Sequence, residues 1–165
     1  MSTTTTRSRT VTWEDPLPAV ERGMSMSGID YLRAMEDDEL PHAPIARLLG
    51  FEPFEVREGL VAFESLPGEH HYNPIGLVHG GFAATLLDSA MGCAVHSLLP
   101  AGAGYSTLEI KVNYVRALTA ATGRVRAIGS VVHLGSRTAT AEGRLVDDED
   151  RLYAHATTTC LVVRP

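Results

Sequence analysis

The chain has 165 residues, of which 44% are hydrophobic, 21% charged and 6% aromatic. This length and composition predict one globular domain whose core needs no disulfide or metal, and they exclude disordered, collagen-like and disulfide-framework proteins. Fourteen basic and twenty acidic residues give a net charge of −6. No stretch of the sequence gathers enough basic residues to contact a phosphate backbone, so we expect no nucleic acid partner.

The first 44 residues precede the main series of predicted elements. The opening sequence MSTTTTRSRT lacks the apolar run of a secretory signal, and residues 1–26 are expected to form a flexible tail. Residues 27–44 are expected to form a helical extension, because Ile29, Leu32 and Met35 share one side of a helix. Its role is open: it could cap the sheet, cover an acyl pocket or lie at a subunit interface.

Residues 45–65 contain two further predicted elements. A short helix from Ile45 ends at Gly50, a residue type that commonly terminates helices. The loosely alternating apolar pattern on both sides of Glu58-Gly59 then predicts a first β-hairpin.

The most apolar stretch, residues 82–99, predicts a helix that is buried on all sides. It approaches the length of a membrane span, but Asp88, His96 and many small residues interrupt it, so we expect a buried helix and no membrane association. Pro100 follows its end.

Four strand-like runs follow, at residues 105–118, 122–134, 137–146 and 151–163. Their short connections predict an antiparallel meander. One buried helix followed by long antiparallel strands packs most simply when the sheet curves around the helix, which predicts an α+β fold over residues 45–165.

The two cysteines, Cys93 and Cys160, lie in apolar runs without a paired framework. This pattern favours a reducing compartment, and we expect a cytoplasmic protein. Cys93 has no basic neighbour in sequence, which predicts a packed thiol and not a nucleophile.

Asp88 is the only carboxylate between His79 and Pro100, midway along the predicted buried helix. An ionised carboxylate is costly to bury, so it must be paired or hydrogen-bonded, and such groups concentrate at functional sites. Asp88 is therefore the first catalytic candidate. The alternative is a structural Asp bonded at a subunit interface.

Gly80 and Gly81 stand where the buried helix begins. Free backbone N–H groups and the positive end of the helix dipole favour negative charge there, and glycine lets a substrate approach the backbone. A purely structural role in tight helix–strand packing is the alternative. His79 and Asp88 point half a turn apart on a helix, so a site that uses both predicts an obligate two-fold dimer.

Three other patterns in the sequence could carry chemistry: a histidine cluster, a serine nucleophile motif and an arginine in a turn. His70, His71 and His79 lack a further ligand at zinc spacing, so no metal site is expected. No Gly-x-Ser-x-Gly nucleophile motif is present. Arg137 follows a Gly-Ser turn, where it could present its cation to a phosphate or remain solvated.

The sequence from Asn73 to Asp88, NPIGLVHGGFAATLLD, resembles the signature of hotdog-fold acyl-CoA thioesterases of the PaaI type. The resemblance covers roughly residues 45–163 and includes TLEIKVNYVRAL at residues 107–118. It implies a hotdog fold, a curved antiparallel sheet around one long helix, with dimers that share a continuous sheet and often pair into homotetramers.

The resemblance also implies roles for individual residues. Asp88 would act as general base or nucleophile, and the N–H of Gly80 would polarise the thioester carbonyl. Asn73 and His79 would orient the thioester and water from the other subunit. Thr107 or, one position away, Ser106 would hold the water, while Gly81 and Arg137 complete the expected substrate-binding set.

The expected reaction is hydrolysis of a medium-chain or aryl-acetyl coenzyme A thioester, with no metal or redox cofactor required. Two other functions stay open: a hotdog-fold enoyl thioester hydratase or dehydratase, and a non-catalytic acyl-CoA-binding protein. Asp88 argues against the binding protein, and the spacing of His79 and Asp88 favours hydrolysis over hydration.

Overall fold

A six-stranded antiparallel sheet packs around one long helix in the computed structural model, which describes residues 5–164. The helices are α1 (Leu17–Gly23), α2 (Gly28–Glu36), α3 (Pro44–Leu49) and α4 (Gly80–His96). The strands are β1 (Phe51–Arg57), β2 (Leu60–Ser65), β3 (Gly104–Tyr114), β4 (Val125–Leu134), β5 (Thr138–Asp147) and β6 (Leu152–Val163). This confirms the expected α+β layout and the predicted hairpin around Gly59.

The order of the strands across the sheet is β1-β2-β4-β5-β6-β3. Strands β4, β5 and β6 form a meander as predicted, but β3 pairs with β6 and not with β4. The prediction of one continuous four-stranded meander is therefore wrong. Residues 115–124, which include a 3-10 turn at Ala120–Thr122, connect β3 to β4 across the end of the sheet. As a result β3 is an edge strand.

Helix α4 lies in the concave side of the sheet and packs against strands β2 to β6. Its largest side chains, among them Leu86, Leu87 and Met91, are fully buried. At Gly129 of β4 the sheet approaches the helix backbone so closely that a Cβ would overlap Ala90. This close approach confirms the buried helix that the sequence predicts.

The N-terminal segment is more ordered than expected. Residues 1–4 of the predicted tail lie outside the described residues, but residues 17–23, which belong to the same predicted tail, form α1. The Asp15 carboxylate, one residue before the N-cap Pro16, accepts a hydrogen bond from the Leu17 N–H at 3.0 Å. Ala19 packs with Ala34 and Leu40 in a small second core, and this burial explains the order.

Helix α2 joins this extension to α4. The Gly28 N–H donates to the Leu99 carbonyl at 2.9 Å, and a Cβ at Gly28 would overlap the His96 carbonyl. The contact fixes the C-terminal end of α4 against the extension. None of the helices within residues 5–164 combines the length and hydropathy required to cross a membrane.

The predicted acidic turn at residues 147–150 contains a buried carboxylate. Burial by itself would raise the pKa of Asp147, but hydrogen bonds from the Arg151 side chain and N–H, the Tyr153 hydroxyl and the Glu149 N–H outweigh it and lower the pKa to about 2. The turn thereby fixes Tyr153 at the start of β6.

Candidate active site at the N-terminal end of helix α4

The loop before α4 is organised by two of the predicted site residues. The Asn73 side-chain oxygen accepts hydrogen bonds from the N–H groups of Ile75 and Leu77, at 3.1 and 3.2 Å. His79 is the N-cap of α4, and its Nδ1 accepts a hydrogen bond from the Gly81 N–H at 2.9 Å. Because Nδ1 is the acceptor, a neutral His79 ring carries its proton on the exposed Nε2.

The two glycines differ in what their backbone offers. The Gly81 N–H is used by His79, and the Phe82 N–H donates to the His79 carbonyl at 3.0 Å. Within residues 5–164, the Gly80 N–H has no hydrogen-bond acceptor. Gly80 is therefore the glycine that can offer a donor to a developing negative charge at the helix entry.

A side chain that the sequence analysis did not identify packs on this entry. The Tyr114 hydroxyl donates to the Gly80 carbonyl at 3.2 Å, and a Cβ at Gly80 would lie 3.0 Å from the Tyr114 ring. Tyr114 ends β3, far from Gly80 in sequence, and no periodicity indicates such a contact. The only available signal is an aromatic residue next to a strand end.

Two hollows flank the helix entry. One, of about 240 Å³, is lined by residues of the Asn73 loop, the end of β3 and the start of β6: Asn73, His79, Gly80, Tyr114, Arg116 and Tyr153 among them. The other, of about 420 Å³, is lined by the three histidines at positions 70, 71 and 79, by Gly81 and by Thr85. The predicted residues Asn73, His79, Gly80 and Gly81 therefore lie together at one surface.

Arg116 is the second residue that sequence reasoning missed. Its guanidinium lies 5.7 Å from the centre of the Tyr153 ring, a cation–π distance. Tyr153 in turn donates to the Asp147 carboxylate at 3.0 Å. The cation thus lines the smaller hollow and rests on a ring that the buried turn holds in place.

Asp88 lies two turns further along α4, half-buried on the side that faces β3. The Thr107 hydroxyl donates to Asp88 Oδ1 at 2.9 Å. Within the described residues, no cation pairs with this carboxylate and Oδ2 has no hydrogen-bond donor. Of the two hydroxyl residues considered on β3, Thr107 contacts Asp88, whereas Ser106 is exposed.

The carboxylate and the helix entry are separate in one chain. Asp88 is eight positions after Gly80, which corresponds to about 12 Å along the helix axis at the standard rise per residue. A single carbonyl group cannot contact both. Within one chain the Asp88 carboxylate and the helix entry are therefore separate groups.

Arg137 lies in the turn before β5, apart from both groups. Its carbonyl accepts a hydrogen bond from the Val162 N–H at 2.9 Å, and its side chain is exposed. Thr138, the next residue, pairs with Leu161, which pairs with Ser106. Arg137 and Ser106 thus lie at the same end of the sheet, two strand spacings apart.

The Cys93 thiol on α4 packs against the core. Burial raises the pKa of Cys93 to about 12, so this residue is a packed thiol at neutral pH, as predicted. Within residues 5–164, no group of three His, Cys, Asp or Glu side chains has the arrangement of a metal site.

Buried His71 gives the protein a predicted pH-dependent stability. Burial, and then the nearby His70 and Arg9, lower the pKa of His71 from 6.5 to about 4. As the pH falls, the unfolded chain takes up this proton near 6.5 and the folded chain only near 4, so stability is lost between these values. We expect a loss of up to about 3 kcal/mol from this group.

Urea denaturation at a series of pH values between about 7 and 4 measures this loss. His71→Asn should flatten the pH dependence of stability, because asparagine does not titrate in this range. Asparagine also keeps an acceptor for the Gly68 N–H, which donates to His71 Nδ1 at 3.1 Å in the wild type. The exposed His133→Asn serves as the matched control and should retain the wild-type slope. Equal slopes in all three proteins would show that His71 does not cause the loss.

Sequence comparison identifies the family. Residues 75–154, which contain the helix entry, Asp88 and Thr107, match the thioesterase superfamily. A proposed esterase of Halobacterium salinarum is 42% identical over 93 residues, 55% of this chain and 56% of that protein, so the match spans about half of that relative's length. A proposed esterase of Pseudomonas aeruginosa is 34% identical over 122 residues, 72% of this chain and 81% of that protein.

Two further relatives have more specific descriptions. The 1,4-dihydroxy-2-naphthoyl-CoA hydrolase of Escherichia coli is 32% identical over 90 residues, which are 54% of this chain and 65% of that enzyme. A solved structure from Ralstonia eutropha, described as a proposed thioesterase related to phenylacetic acid degradation, superimposes with a TM-score of 0.72. It is 28% identical, and the match covers 79% of this chain and 98% of that one. This chain therefore belongs to the thioesterase superfamily, as a hotdog-fold member of the PaaI type.

Proposed function

We propose that this protein hydrolyses acyl-coenzyme A thioesters at an active site built from two copies of the chain. The observation that carries the proposal is the Asp88 carboxylate, which is half-buried, held by Thr107 through one oxygen and unpaired with any cation within the described residues. A carboxylate in this setting is available to accept a proton from water or to attack a carbonyl directly.

The second half-site is the entry of α4, where the Gly80 N–H has no acceptor among the described residues. In an acyl transfer, such a donor stabilises the oxyanion that forms when the thioester carbonyl is attacked. His79 and the side-chain amide of Asn73 line the same hollow as Gly80 and are assigned to orienting the thioester and the water.

Pairing of two edge strands would bring the half-sites together. Along β3, Thr107 lies level with Asp88 and Tyr114 lies level with Gly80. If β3 pairs antiparallel with a second β3 about a two-fold axis at Lys111, near the middle of the strand, the Thr107 end of one strand lies beside the Tyr114 end of the other. Asp88 of one chain then faces the helix entry of the other, as the resemblance implies.

The proposed reaction is simple in its bond changes. Water attacks the carbonyl carbon and gives its proton to Asp88, the carbon–oxygen double bond becomes an oxyanion at the Gly80 N–H, and the carbon–sulfur bond then breaks. The coenzyme A thiolate leaves with both bonding electrons and is protonated. In the nucleophilic variant, Asp88 attacks the carbonyl itself and water then hydrolyses the resulting anhydride.

The names of the relatives support the substrate class. One relative is a hydrolase of an aromatic coenzyme A thioester, and a structural neighbour is described as related to phenylacetic acid degradation. We therefore propose aryl-acetyl or medium-chain acyl-coenzyme A as the substrate, with Arg137, Ser106 and Gly81 at the binding surface. The homotetramer and the cytoplasmic location expected from the sequence remain predictions.

Release of free coenzyme A from a panel of aliphatic and aromatic acyl-coenzyme A thioesters tests the function. We expect turnover of at least one member, with the free acid as the second product. Tight binding of the thioesters without release would support an acyl-coenzyme A-binding protein instead. Conversion of enoyl thioesters to hydroxyacyl thioesters would support a hydratase.

Mixing two inactive variants tests the shared site. Asp88→Ala and His79→Ala chains, unfolded together and refolded at equal amounts, should recover about a quarter of wild-type activity, because half of the dimers then carry one intact site. A mixture of Asp88→Ala with Asp88→Asn is the control and should recover none. Absence of recovery in the first mixture, with mixed dimers present by native mass spectrometry, would contradict a shared site.

A further inference from the structure

His79 lies between the two hollows at the entry of α4, because it lines both of them. Gly80, whose N–H is the proposed oxyanion donor, lines the smaller hollow, and the next residue, Gly81, lines the larger one. A thioester whose carbonyl oxygen accepts a hydrogen bond from this N–H therefore has one hollow on each side of its carbonyl carbon. One hollow is placed to take the acyl group and the other the pantetheine arm of coenzyme A.

Charge distinguishes the two hollows. The guanidinium of Arg116 lines the smaller one, and no carboxylate pairs with it within residues 5–164. No lysine, arginine, aspartate or glutamate lines the larger one. Coenzyme A carries negatively charged phosphates, which an arginine binds well, whereas a simple acyl group is uncharged. The smaller hollow therefore suits the coenzyme A side of the thioester, and the larger hollow suits the acyl side.

Aromatic rings form part of the lining of the larger hollow. The ring centres of His70 and His71 are 3.9 Å apart, and the ring of His71 lies 4.5 Å from that of Phe82. His71 is neutral at pH 7, because burial lowers its pKa to about 4. Tyr72 adds a fourth ring to the lining. Aromatic rings gain more from contact with another ring than from contact with a saturated chain of similar size.

Helix α3 supplies another part of the lining through Ile45 and Leu49. This short helix is fixed on two sides. Ala46 is buried in the main core, and the Arg9 guanidinium donates to the Leu48 carbonyl at 3.0 Å. The wall that α3 forms is therefore held in place before any substrate binds.

The dimensions of the larger hollow suit a small acyl group. Its volume of about 420 Å³ lies within the range of small-molecule pockets. Its lining on α4 extends from Gly81 to Thr85, four positions or about 6 Å along the helix axis. The Thr85 hydroxyl donates to the Gly81 carbonyl at 2.8 Å, so the helix itself already uses this polar group. A single aromatic ring close to the carbonyl fits this length, whereas a long saturated chain extends past it.

We propose that the larger hollow binds the acyl group and that this acyl group is aromatic, with its ring attached to the thioester carbonyl directly or through one carbon. This inference rests on the proposed thioesterase function and chooses between the two substrate classes that were proposed there. The part of the lining from α3 and residues 70–72 lies outside residues 75–154, which match the superfamily. It therefore assigns substrate selection to a part of this chain beyond the matched region.

The first test narrows the hollow from α3. Ile45→Trp should raise the Kd of a nonhydrolysable thioether analogue of phenylacetyl-coenzyme A by about tenfold or more, the scale at which pocket shape discriminates. Isothermal titration calorimetry measures this Kd. Free coenzyme A should bind as it does to wild type, because it occupies the other hollow. Leu48→Trp is the matched control, since Leu48 is exposed on the same helix but does not line the hollow, and it should change neither Kd.

The second test addresses the aromatic class. Wild type should hydrolyse phenylacetyl-coenzyme A with a kcat/KM about two- to tenfold higher than hexanoyl-coenzyme A, which has a similar length but no ring. His70→Ala should remove this preference, and His70→Phe should keep it, because phenylalanine retains a ring at this exposed position. Circular dichroism of each variant shows whether it is folded.

The outcomes separate this inference from the proposed function. Equal binding of the analogue by Ile45→Trp and wild type would exclude the larger hollow as the acyl site. A wild-type preference for hexanoyl-coenzyme A would exclude the aromatic class and leave the proposed function intact. A wild type that binds the analogue but hydrolyses no thioester would overturn the proposed function, while the titration of Ile45→Trp still decides whether the hollow holds the ring. A wild type that neither binds the analogue nor hydrolyses any thioester would overturn both.

Discussion

Asp88→Asn should abolish most of the hydrolysis of acyl-coenzyme A, with kcat reduced by about 100- to 10,000-fold, the range that positioned acid–base groups contribute. The amide can neither accept the proton of the attacking water nor act as a nucleophile. The asparagine side chain keeps an oxygen that accepts the hydrogen bond from the Thr107 hydroxyl, so the local geometry should be retained. The fold should be retained as well, because a neutral side chain costs less to bury than a carboxylate.

The measurement is coenzyme A release under saturating substrate, beside a thermal denaturation curve of each protein. Glu58→Gln is the matched control, since Glu58 is an exposed carboxylate in the turn between β1 and β2, at the edge of the sheet opposite β3. It should keep wild-type turnover. If Asp88→Asn turned over at a rate close to that of wild type, Asp88 would be structural and the chemistry would lie elsewhere.

Gly80→Pro should reduce turnover by about 100- to 1,000-fold relative to Gly80→Ala, the effect expected for loss of one oxyanion donor. Alanine and proline both keep the backbone carbonyl at position 80, but proline lacks the N–H that alanine retains. Gly80 is the first residue of α4, a position where helices accept proline readily. His79 has φ −62° and ψ 137°, which is the conformation favoured before proline.

The comparison with alanine is needed because any Cβ at this position presses on Tyr114, at 3.0 Å from its ring. Both variants share this crowding, so the difference between them isolates the N–H. The turnover of wild type compared with that of Gly80→Ala measures the steric effect alone. Adding Tyr114→Leu to the Gly80→Ala and Gly80→Pro variants should relieve the crowding in both. Equal turnover of the alanine and proline variants would exclude the Gly80 N–H as the oxyanion donor.

Much of the architecture could be predicted from local pattern. The run of apolar residues around Leu86 and Leu87 covers every side of a helix, and only a helix wrapped by other elements buries such a surface. The hairpin at Gly59 and the strands β4 to β6 follow from short turns, which leave neighbouring strands no other partner. Local signals sufficed because these contacts are local.

Two predictions were wrong, the pairing partner of β3 and the flexible state of residues 17–23, because contacts between distant parts of the chain determine both. Nothing in the run of residues 105–118 indicates that β3 pairs with β6, since this pairing joins segments about 50 residues apart and depends on the path of the connection to β4. Likewise, residues 17–23 have too short a pattern to predict a stable helix by themselves. They form α1 because Ala19 packs on α2, which the sequence of the tail does not reveal.

The sequence by itself determined the chemistry of the candidate site, namely a lone carboxylate in an apolar helix and two glycines at its entry, because residue type and spacing along a helix are encoded locally. Only the tertiary structure decided which groups meet. It brought Thr107 to Asp88, Tyr114 and Arg116 to the helix entry, and α1 over the end of α4. These contacts join segments far apart in the chain, and they depend on how the curved sheet closes around the helix.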